Sequence, residues 1–141
     1  MGRILGVDLG TRRVGLALSD PLRIFGSPLA TVAFGSEKSL SERIARLCAE
    51  HEVELVVIGM PYEGDGSEGP GCERARRVAS KLEALGLKTA WQDETWTSRD
   101  AEAALKQAGK NRRTARDAVD KVAASLILQD YLQRVERRSG S

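Results

Sequence analysis

The sequence predicts one α/β domain, built as a five-stranded mixed sheet with helices on both faces. Three apolar segments with short connections open the chain, and helical and apolar segments alternate after them. Short connections join antiparallel strands, whereas strands joined by a helical crossover are parallel. A length of 141 residues with 41% hydrophobic residues suits a single domain that folds without disulfides or structural metal.

The three opening strands are expected at Arg3–Leu9, 14–18 and 24–34. The turn GTRR separates the first two strands, and Gly10 gives its backbone the freedom to reverse direction. Asp20 precedes a proline, a position that disfavours helix, and so marks the second turn. These strands should form an antiparallel meander.

The rest of the chain is predicted to alternate helices and strands. In order, the elements are a helix beginning near Ser39, the strand ELVVIG, a helix closed by Gly86, the strand LKTAWQ, a helix from Thr97 or Ser98 to about residue 106, and a last helix from about 116 to 137. Ser39 and Glu42 fit a capping box, and the segment AGKNRRTA should break the last two helices apart. The tail from about residue 135 is expected to be flexible. The apolar stripes at helical spacing are Leu40, Ile44, Leu47 and Cys48, then Ala75, Val78, Ala79, Leu82 and Leu85, and last Val119, Val122, Ala123, Leu126 and Ile127.

Composition argues against several classes of site. Cys48 and Cys72 lie far apart and outside any C-x-x-C pattern, so reduced thiols of a cytoplasmic protein are expected. His51 is the only histidine, which is too few for an ordinary structural zinc site and leaves one base for Ser-His or Cys-His catalysis. The sequence shows neither a long apolar run nor a signal peptide. With 22 Lys and Arg against 20 Asp and Glu, the position of the charges matters more than their sum.

Two carboxylates interrupt the apolar pattern near strand ends. Asp8 lies near the end of a central strand, where an unpaired buried carboxylate is costly, so it needs a cation, a metal or the turn amides of residues 10–13. Glu94 follows the fifth strand, at the edge where ligands of α/β sheets gather. Its neighbour Asp93 is the alternative, because adjacent residues of an extended segment point in opposite directions.

A third acid, Asp120, lies near the start of the last helix. An acid in a first helical turn stabilises the helix dipole. Asp120 also shares a face with Ala124, Ile127 and Tyr131, which favours a carboxylate turned toward the protein. Asp117, three residues earlier, remains the alternative.

Three converging carboxylates would repel one another, and their pKa values would rise unless a cation joined them. Mg²⁺ or Mn²⁺ prefers oxygen ligands and suits phosphate substrates. Two such ions can activate a water and stabilise the leaving oxygen of a phosphodiester. The pattern therefore favours metal-assisted phosphodiester hydrolysis, which requires no histidine.

The segment KQAGKNRRTAR, residues 106–116, has five basic residues and no acid. Lys110, Arg112, Arg113 and Arg116 are candidate contacts to a nucleic-acid backbone. A solvated loop is the alternative interpretation. Aromatic residues make up only 4% of the chain, which argues against extensive base stacking.

Four segments resemble the signatures of the YqgF family, whose members are named for pre-16S ribosomal RNA cleavage and for Holliday junction resolution. They are GVDLGTRRVGLALSD, GMPYEGDGSEGP, DETWTS and VDKVAASLILQDYL, and together they span residues 4 to about 132 in the family's order. One departure is that Thr95 stands where the family often has Arg.

The resemblance implies a ribonuclease H-like fold and a metal-dependent endonuclease of the bacterial cytoplasm, with Mg²⁺ or Mn²⁺ as cofactor. It places the catalytic, metal-holding acids at Asp8, Glu94 and Asp120. In its light, Arg12 and Arg13 of the first hairpin become candidate contacts to nucleic acid.

The expected activity is hydrolysis of structured nucleic acid, with 5′-end processing of precursor 16S ribosomal RNA favoured over branched DNA. Symmetric cleavage of a four-way junction needs two active sites, hence a dimer; the sequence leaves monomer and homodimer open. The rivals are a non-catalytic nucleic-acid-binding module and a nucleotide-binding fragment of the actin and sugar-kinase group, whose D-x-G-T hairpin the segment DLGT matches. That group closes two lobes on its nucleotide, which we do not expect of 141 residues.

Overall fold

The computed structural model describes residues 2–94 and 112–139, and for 112–118 and 136–139 it describes the backbone alone. Five strands form one sheet, in the order β3-β2-β1-β4-β5. They are β1 (Arg3–Leu9), β2 (Arg13–Ser19), β3 (Gly26–Ala33), β4 (Val53–Met60) and β5 (Lys88–Asp93). The first three pair antiparallel, whereas β4 is parallel to both β1 and β5. The predicted mixed sheet is confirmed.

The third strand begins two residues later than expected, and the fifth begins one residue later. Residues 24 and 25 belong to the preceding turn, because the Asp20 carboxylate accepts hydrogen bonds from the backbone N–H groups of Ile24 and Phe25, at 2.7 and 3.0 Å. A side chain that satisfies two backbone donors in this way competes with strand pairing.

Three helices are described: α1 (Glu37–Glu50), α2 (Pro70–Ala84) and α3 (Arg112–Ser139). The helix predicted from Thr97 or Ser98 to about residue 106 lies outside the described residues. The apolar stripes of α1 and α2 are buried as predicted, except that Leu47 is only half-buried and Leu85 follows the end of α2 and is exposed. Within the described part of the chain, no helix has the length and apolar character needed to cross a membrane.

The start of α1 differs from the prediction by one turn. Its capping box is formed by Ser36 and Ser39, not by Ser39 and Glu42. The Ser36 Oγ accepts from the Ser39 N–H at 3.0 Å, and the Ser39 Oγ accepts from the Ser36 N–H at 3.1 Å. A serine thus does the work of the Glu or Gln that the usual pattern requires.

The start of α3 also differs, and this correction affects the site. The helix begins at Arg112, so the second half of AGKNRRTA is helical and does not break the chain. Arginine and alanine are strong helix formers. The density of basic residues in this segment nevertheless favoured a loop in the prediction. Asp120 therefore lies in the third turn of α3, beyond the first turn in which the helix dipole acts.

Each face of the sheet has its own apolar core, which confirms helices on both faces. On one face α1 and α2 pack on β1 and β4, through residues that include Ile44, Val78, Leu82, Val7 and Ile58. On the other face α3 packs through Ala124, Ile127 and Leu128 against Ile4, Ala17 and Val57.

Two glycines let α3 lie unusually close to the sheet. A Cβ added at Gly6 would lie 2.8 Å from the Cβ of Leu128, and one at Gly15 would collide with the backbone carbonyl of Asp120. Any larger residue at these positions would hold the helix away. The glycines of β1 and β2 thus set the distance between Asp120 and the sheet.

Candidate active site

Asp8 lies on the face of the sheet that α3 covers. Its neighbours in β1, Val7 and Leu9, belong to the core on the opposite face, and side chains alternate along a strand. Asp8 pairs across the sheet with Gly15 of β2, the glycine under the Asp120 backbone. The first predicted acid is therefore placed beside the third by strand register.

Glu94 follows β5 and turns toward Asp8. Its N–H donates to the Met60 carbonyl at 3.2 Å, which continues the pairing of β5 with β4. Because β4 lies between β5 and β1, the Glu94 side chain must cross β4 to reach Asp8. It crosses at Gly59, where an added Cβ would lie 2.5 Å from the Glu94 Oε2.

The choice between Asp93 and Glu94 is settled by side-chain direction. Asp93 is exposed, whereas Glu94 is half-buried and forms a side-chain hydrogen bond with Asp8. The alternation expected from an extended segment is therefore observed, and Glu94 is the acid that meets Asp8. Thr95, the departure from the family pattern, lies outside the described residues.

The Asp8 and Glu94 carboxyl groups are crowded and poorly solvated. Burial raises the pKa of Asp8, and the hydrogen bond from Glu94 offsets part of that rise. Burial, the charge of Asp8 and the shared hydrogen bond raise the pKa of Glu94 to about 9. At neutral pH the Glu94 carboxyl therefore keeps its proton.

Asp120 is held at the same edge of the sheet by a different partner. Its Oδ2 accepts a hydrogen bond from the Arg13 Nε at 3.1 Å, and the two side chains are 22% and 34% exposed. This ion pair joins residues 107 positions apart in the chain. The acid faces the sheet, as its apolar helix face predicted. The side chain of Asp117, its alternative, is outside the description.

The acids at this edge have the chemistry of a divalent-cation site. The Glu94 Oε2 is buried and has no hydrogen-bond partner among residues 2–94 and 112–139, so one carboxylate oxygen beside Asp8 can accept a ligand. Two crowded carboxylates with an unsatisfied oxygen fit a hard cation such as Mg²⁺ or Mn²⁺. Across residues 2–94 and 112–139, however, no three acidic, histidine or cysteine side chains are grouped closely enough to hold an ion. The structure thus joins Asp8 to Glu94 and leaves Asp120 with Arg13.

The predicted nucleic-acid contacts fall into three groups. Arg12 is exposed at the tip of the first hairpin, and Arg13 is engaged with Asp120. The positions Arg112, Arg113 and Arg116 are in the first turns of α3, not in a loop, and their side chains are not described. Lys110 lies outside the described residues.

Sequence reasoning missed Gln92 and the role of Gly15. The Gln92 Oε1 is a second buried oxygen that lacks a hydrogen-bond partner within the described part of the chain, and Gln92 precedes Glu94 by two residues on the same face of the extended segment. The signal for Gly15 was present, since a glycine inside an apolar strand often marks the close approach of another backbone. For Gln92, an uncharged polar residue in a short strand gave no comparable signal.

Comparisons with known proteins agree with this architecture. The family model of RuvX, described as a Holliday junction resolvase, matches residues 2–134. A Syntrophus aciditrophicus (strain SB) protein named "Putative pre-16S rRNA nuclease" is 43% identical over 136 residues, which is 96% of this chain and 91% of that protein. A Lactococcus lactis subsp. cremoris (strain MG1363) protein of the same name is 41% identical over 133 residues, covering 92% of this chain and 93% of that protein.

Two solved structures share the fold at low sequence identity. RuvC of T. thermophilus, in complex with a Holliday junction substrate, aligns with a TM-score of 0.55 and 15% identity over 99% of this chain and 97% of its own. The fowlpox virus resolvase in complex with Holliday junction DNA aligns with a TM-score of 0.54 and 12% identity over 94% and 98% of the two chains. The predicted ribonuclease H-like architecture is confirmed.

Proposed function

The chain belongs to the RuvX family of nucleases, and from this premise we propose that it is a metal-dependent endonuclease acting on the 5′ end of precursor 16S ribosomal RNA in the bacterial cytoplasm. The curated relatives described above, which are named for this substrate, match nearly the whole chain. Divalent-metal dependence is general among such nucleases, and the chemistry of the acids at the edge of the sheet supports it.

One observation carries the proposal: Asp8 and Glu94 are brought into contact from two strands that are not neighbours in the sheet. A fold gains no stability from two buried carboxyl groups in contact, because both lose their solvation and each opposes ionisation of the other. Gly59 makes the contact possible by leaving β4 bare beneath Glu94. An arrangement that costs stability and requires a glycine is typical of a functional site.

We propose that Asp8, Glu94 and Asp120 together hold Mg²⁺ or Mn²⁺. When bound, two such ions would activate a water and stabilise the leaving oxygen of the phosphodiester. The contribution of the chain is to release the proton shared by Asp8 and Glu94, so that both carboxylates become ligands. Close packing of α3 on Gly15, the residue that pairs with Asp8, fixes the Asp120 backbone over the neighbouring strand.

Binding of the nucleic-acid backbone is assigned to the basic residues around the acids. Arg12 projects from the hairpin that follows Asp8. Arg112, Arg113 and Arg116 occupy the first turns of α3, where the helix dipole adds a partial positive charge. Together with Lys110 they would contact phosphates without reading sequence, which suits a substrate recognised by its shape.

A specific observation favours a second candidate, resolution of branched DNA. The family model that matches this chain is described as that of a Holliday junction resolvase. Phosphate contacts and metal-assisted hydrolysis serve either substrate, and only the arrangement of the bases and strands differs. A junction requires two cuts, so this candidate also requires two copies of the chain.

The deciding experiment offers both substrates to the same protein. An RNA carrying the 5′ precursor sequence of 16S ribosomal RNA and a synthetic four-way DNA junction are incubated with the chain and Mg²⁺ or Mn²⁺. We expect cleavage of the RNA, loss of cleavage in Asp8→Asn, and retention in Asp20→Asn, which makes the same change of charge at the opposite end of the sheet. Paired cuts in the junction with intact RNA would support the resolvase instead. Binding of both substrates without cleavage would support a non-catalytic module.

A further inference from the structure

Arg13 is positioned by the same strand that positions Asp120. It begins β2, and Gly15, two residues later, lies on the same face, directly beneath the Asp120 carbonyl. The backbone of Asp120 is therefore fixed by Gly15 and its carboxylate by Arg13, whose Nε lies 3.1 Å from Oδ2. Both ends of the contact are set by packing, which distinguishes it from an ion pair between two flexible surface side chains.

The ion pair determines where Asp120 points. Asp8 pairs across the sheet with Gly15, so Asp120 lies one strand away from the Asp8–Glu94 pair. Yet the described residues contain no group of three metal-ligating side chains. The carboxylate that would complete the set of three is turned toward a guanidinium instead.

A divalent cation and the Arg13 guanidinium compete for the Asp120 carboxylate, because both are positively charged. A divalent cation held by Asp8 and Glu94 would attract the Asp120 carboxylate and repel the guanidinium of Arg13 at short range. The guanidinium, once displaced from Asp120, could donate to an anionic group of the substrate instead. Its planar fork matches a phosphate as well as it matches a carboxylate.

We propose that Arg13 is a positioning residue that holds Asp120 in the metal-free protein and exchanges this carboxylate for a phosphate of the nucleic acid once the acids bind metal. The inference rests on the proposed function, because it takes Asp120 as the third metal-holding acid. It gives Arg13 two successive partners, of which the structure records the first. The exchange couples metal binding to nucleic-acid binding through one side chain.

Metal affinity is the first test, and it requires no activity. Titration of Mn²⁺ into the chain without nucleic acid is followed by calorimetry for the unchanged protein, Arg13→Gln, Arg13→Lys and the control Arg46→Gln. Arg46 is exposed on α1, on the opposite face of the sheet, and its replacement makes the same change of charge. We expect Arg13→Gln to bind Mn²⁺ about 2- to 5-fold more tightly, because the ion no longer competes with an ion pair of ordinary strength. Arg13→Lys and Arg46→Gln should stay close to the unchanged protein.

A merely structural role of Arg13 predicts the opposite sign. If the arginine only stiffened the site, Arg13→Gln would loosen Asp120 and weaken Mn²⁺ binding. Equal or weaker binding by Arg13→Gln, in a variant whose circular dichroism is unchanged, would overturn the inference alone. If the unchanged protein bound no Mn²⁺, the proposed function would fail and the inference with it.

Nucleic-acid affinity is the second test, because an exchange predicts that the effect of Arg13 depends on metal. Binding of the precursor RNA is measured in EDTA and in Ca²⁺, which fills oxygen sites and is a poor cofactor for hydrolysis. We expect Arg13→Gln to bind RNA about 2- to 5-fold more weakly than Arg46→Gln in Ca²⁺, and equally in EDTA, where Arg13 is occupied by Asp120. The same loss in both buffers would show that Arg13 never changes partner and would overturn the proposal.

Discussion

Near the amino end of β1, buried polar groups are hydrogen-bonded, whereas near its carboxyl end two described residues bury oxygens that are not. At its amino end, the Ser19 Oγ accepts from the Ile4 N–H at 2.8 Å and donates to the Asp20 carbonyl at 3.0 Å. The Gln129 side chain bonds the backbone of the β2–β3 turn, accepting from the Gly26 N–H at 3.1 Å. At its carboxyl end, oxygens of Gln92 and Glu94 are buried and accept no hydrogen bond from the residues that the structure describes.

Large apolar side chains are exposed at the amino end of β1, the end at which the polar groups are hydrogen-bonded. Leu22 and Phe25, in the turn at the amino end, are 74% and 66% exposed, beside a cavity of about 250 Å³ lined by residues of that turn and the end of α3. At the carboxyl end, acids lie over glycines instead, Asp120 over Gly15 and Glu94 over Gly59. The two ends belong to one sheet and contact one helix. The difference in how they bury polar groups therefore identifies the carboxyl end as the one whose arrangement costs stability. That end is where the proposed chemistry lies.

The largest expected effect is on cleavage. Glu94→Gln removes one of the two crowded carboxylates, and we expect kcat/KM to fall by at least about 10³-fold, the scale of losing a principal electrostatic group of an active site. Glu54→Gln is the matched control, since Glu54 is an exposed acid at the amino end of the sheet, paired with Arg23 at 2.8 Å. It should change kcat/KM by less than about 3-fold, because surface ion pairs contribute little. Similar losses in both variants would remove the distinction between the two ends.

The second effect is on packing, and it tests whether glycine sets the position of α3. Gly15→Ala should lower the free energy of unfolding by about 3 kcal/mol, because the added methyl meets the backbone of Asp120 and the helix must shift. Gly64→Ala is the control, since a Cβ at Gly64 has no atom within 4 Å; it should change stability by less than about 0.5 kcal/mol. Urea unfolding with metal absent measures both. A Gly15→Ala protein as stable as Gly64→Ala would mean that α3 does not depend on this contact.

Whether a feature of the fold or the site could be predicted from the sequence depends on how far apart in the chain the residues that determine it lie. The strands and the first two helices follow from local periodicity. The acid at Asp8 follows from a charge within an apolar run. The start of α3 was wrong, because basic residues that form helices well also resemble a loop.

The contacts of the site were beyond the reach of such patterns. The sequence left Asp93 and Glu94 as alternatives, and only side-chain direction at the end of β5 separates them. Glu94 reaches Asp8 because Gly59, on a third strand, is bare, and the pairing of Arg13 with Asp120 spans 107 positions. Both depend on strand order and helix packing, which no local pattern contains.

The third effect concerns the response of stability to pH. The pKa of Glu94 in the folded protein is about 9, raised mainly by burial from an ordinary value of 4.5. The folded state therefore holds its proton more tightly than the unfolded state, and the stability this provides is complete below about pH 4.5 and lost as pH rises toward 9. We expect the free energy of unfolding in EDTA to fall across this range, and Glu94→Gln to be more stable than the unchanged protein at pH 8. A flat profile for the unchanged protein would contradict the crowding of the two carboxylates.

The smallest effect is expected at the amino end, where polar groups are satisfied. Ser19 is 2% exposed, and its hydroxyl bonds the Ile4 N–H just beyond the last paired residues of β1 and β2, Leu5 and Leu18. Ser19→Ala leaves this buried donor without its partner and should lower the free energy of unfolding by about 1 kcal/mol. It should leave cleavage unchanged, because Ser19 and the acids lie at opposite ends of the strands. Thermal unfolding together with the RNA cleavage assay measures both quantities. A loss of cleavage larger than the loss of stability would mean that the amino end takes part in function, and the contrast between the two ends would then fail.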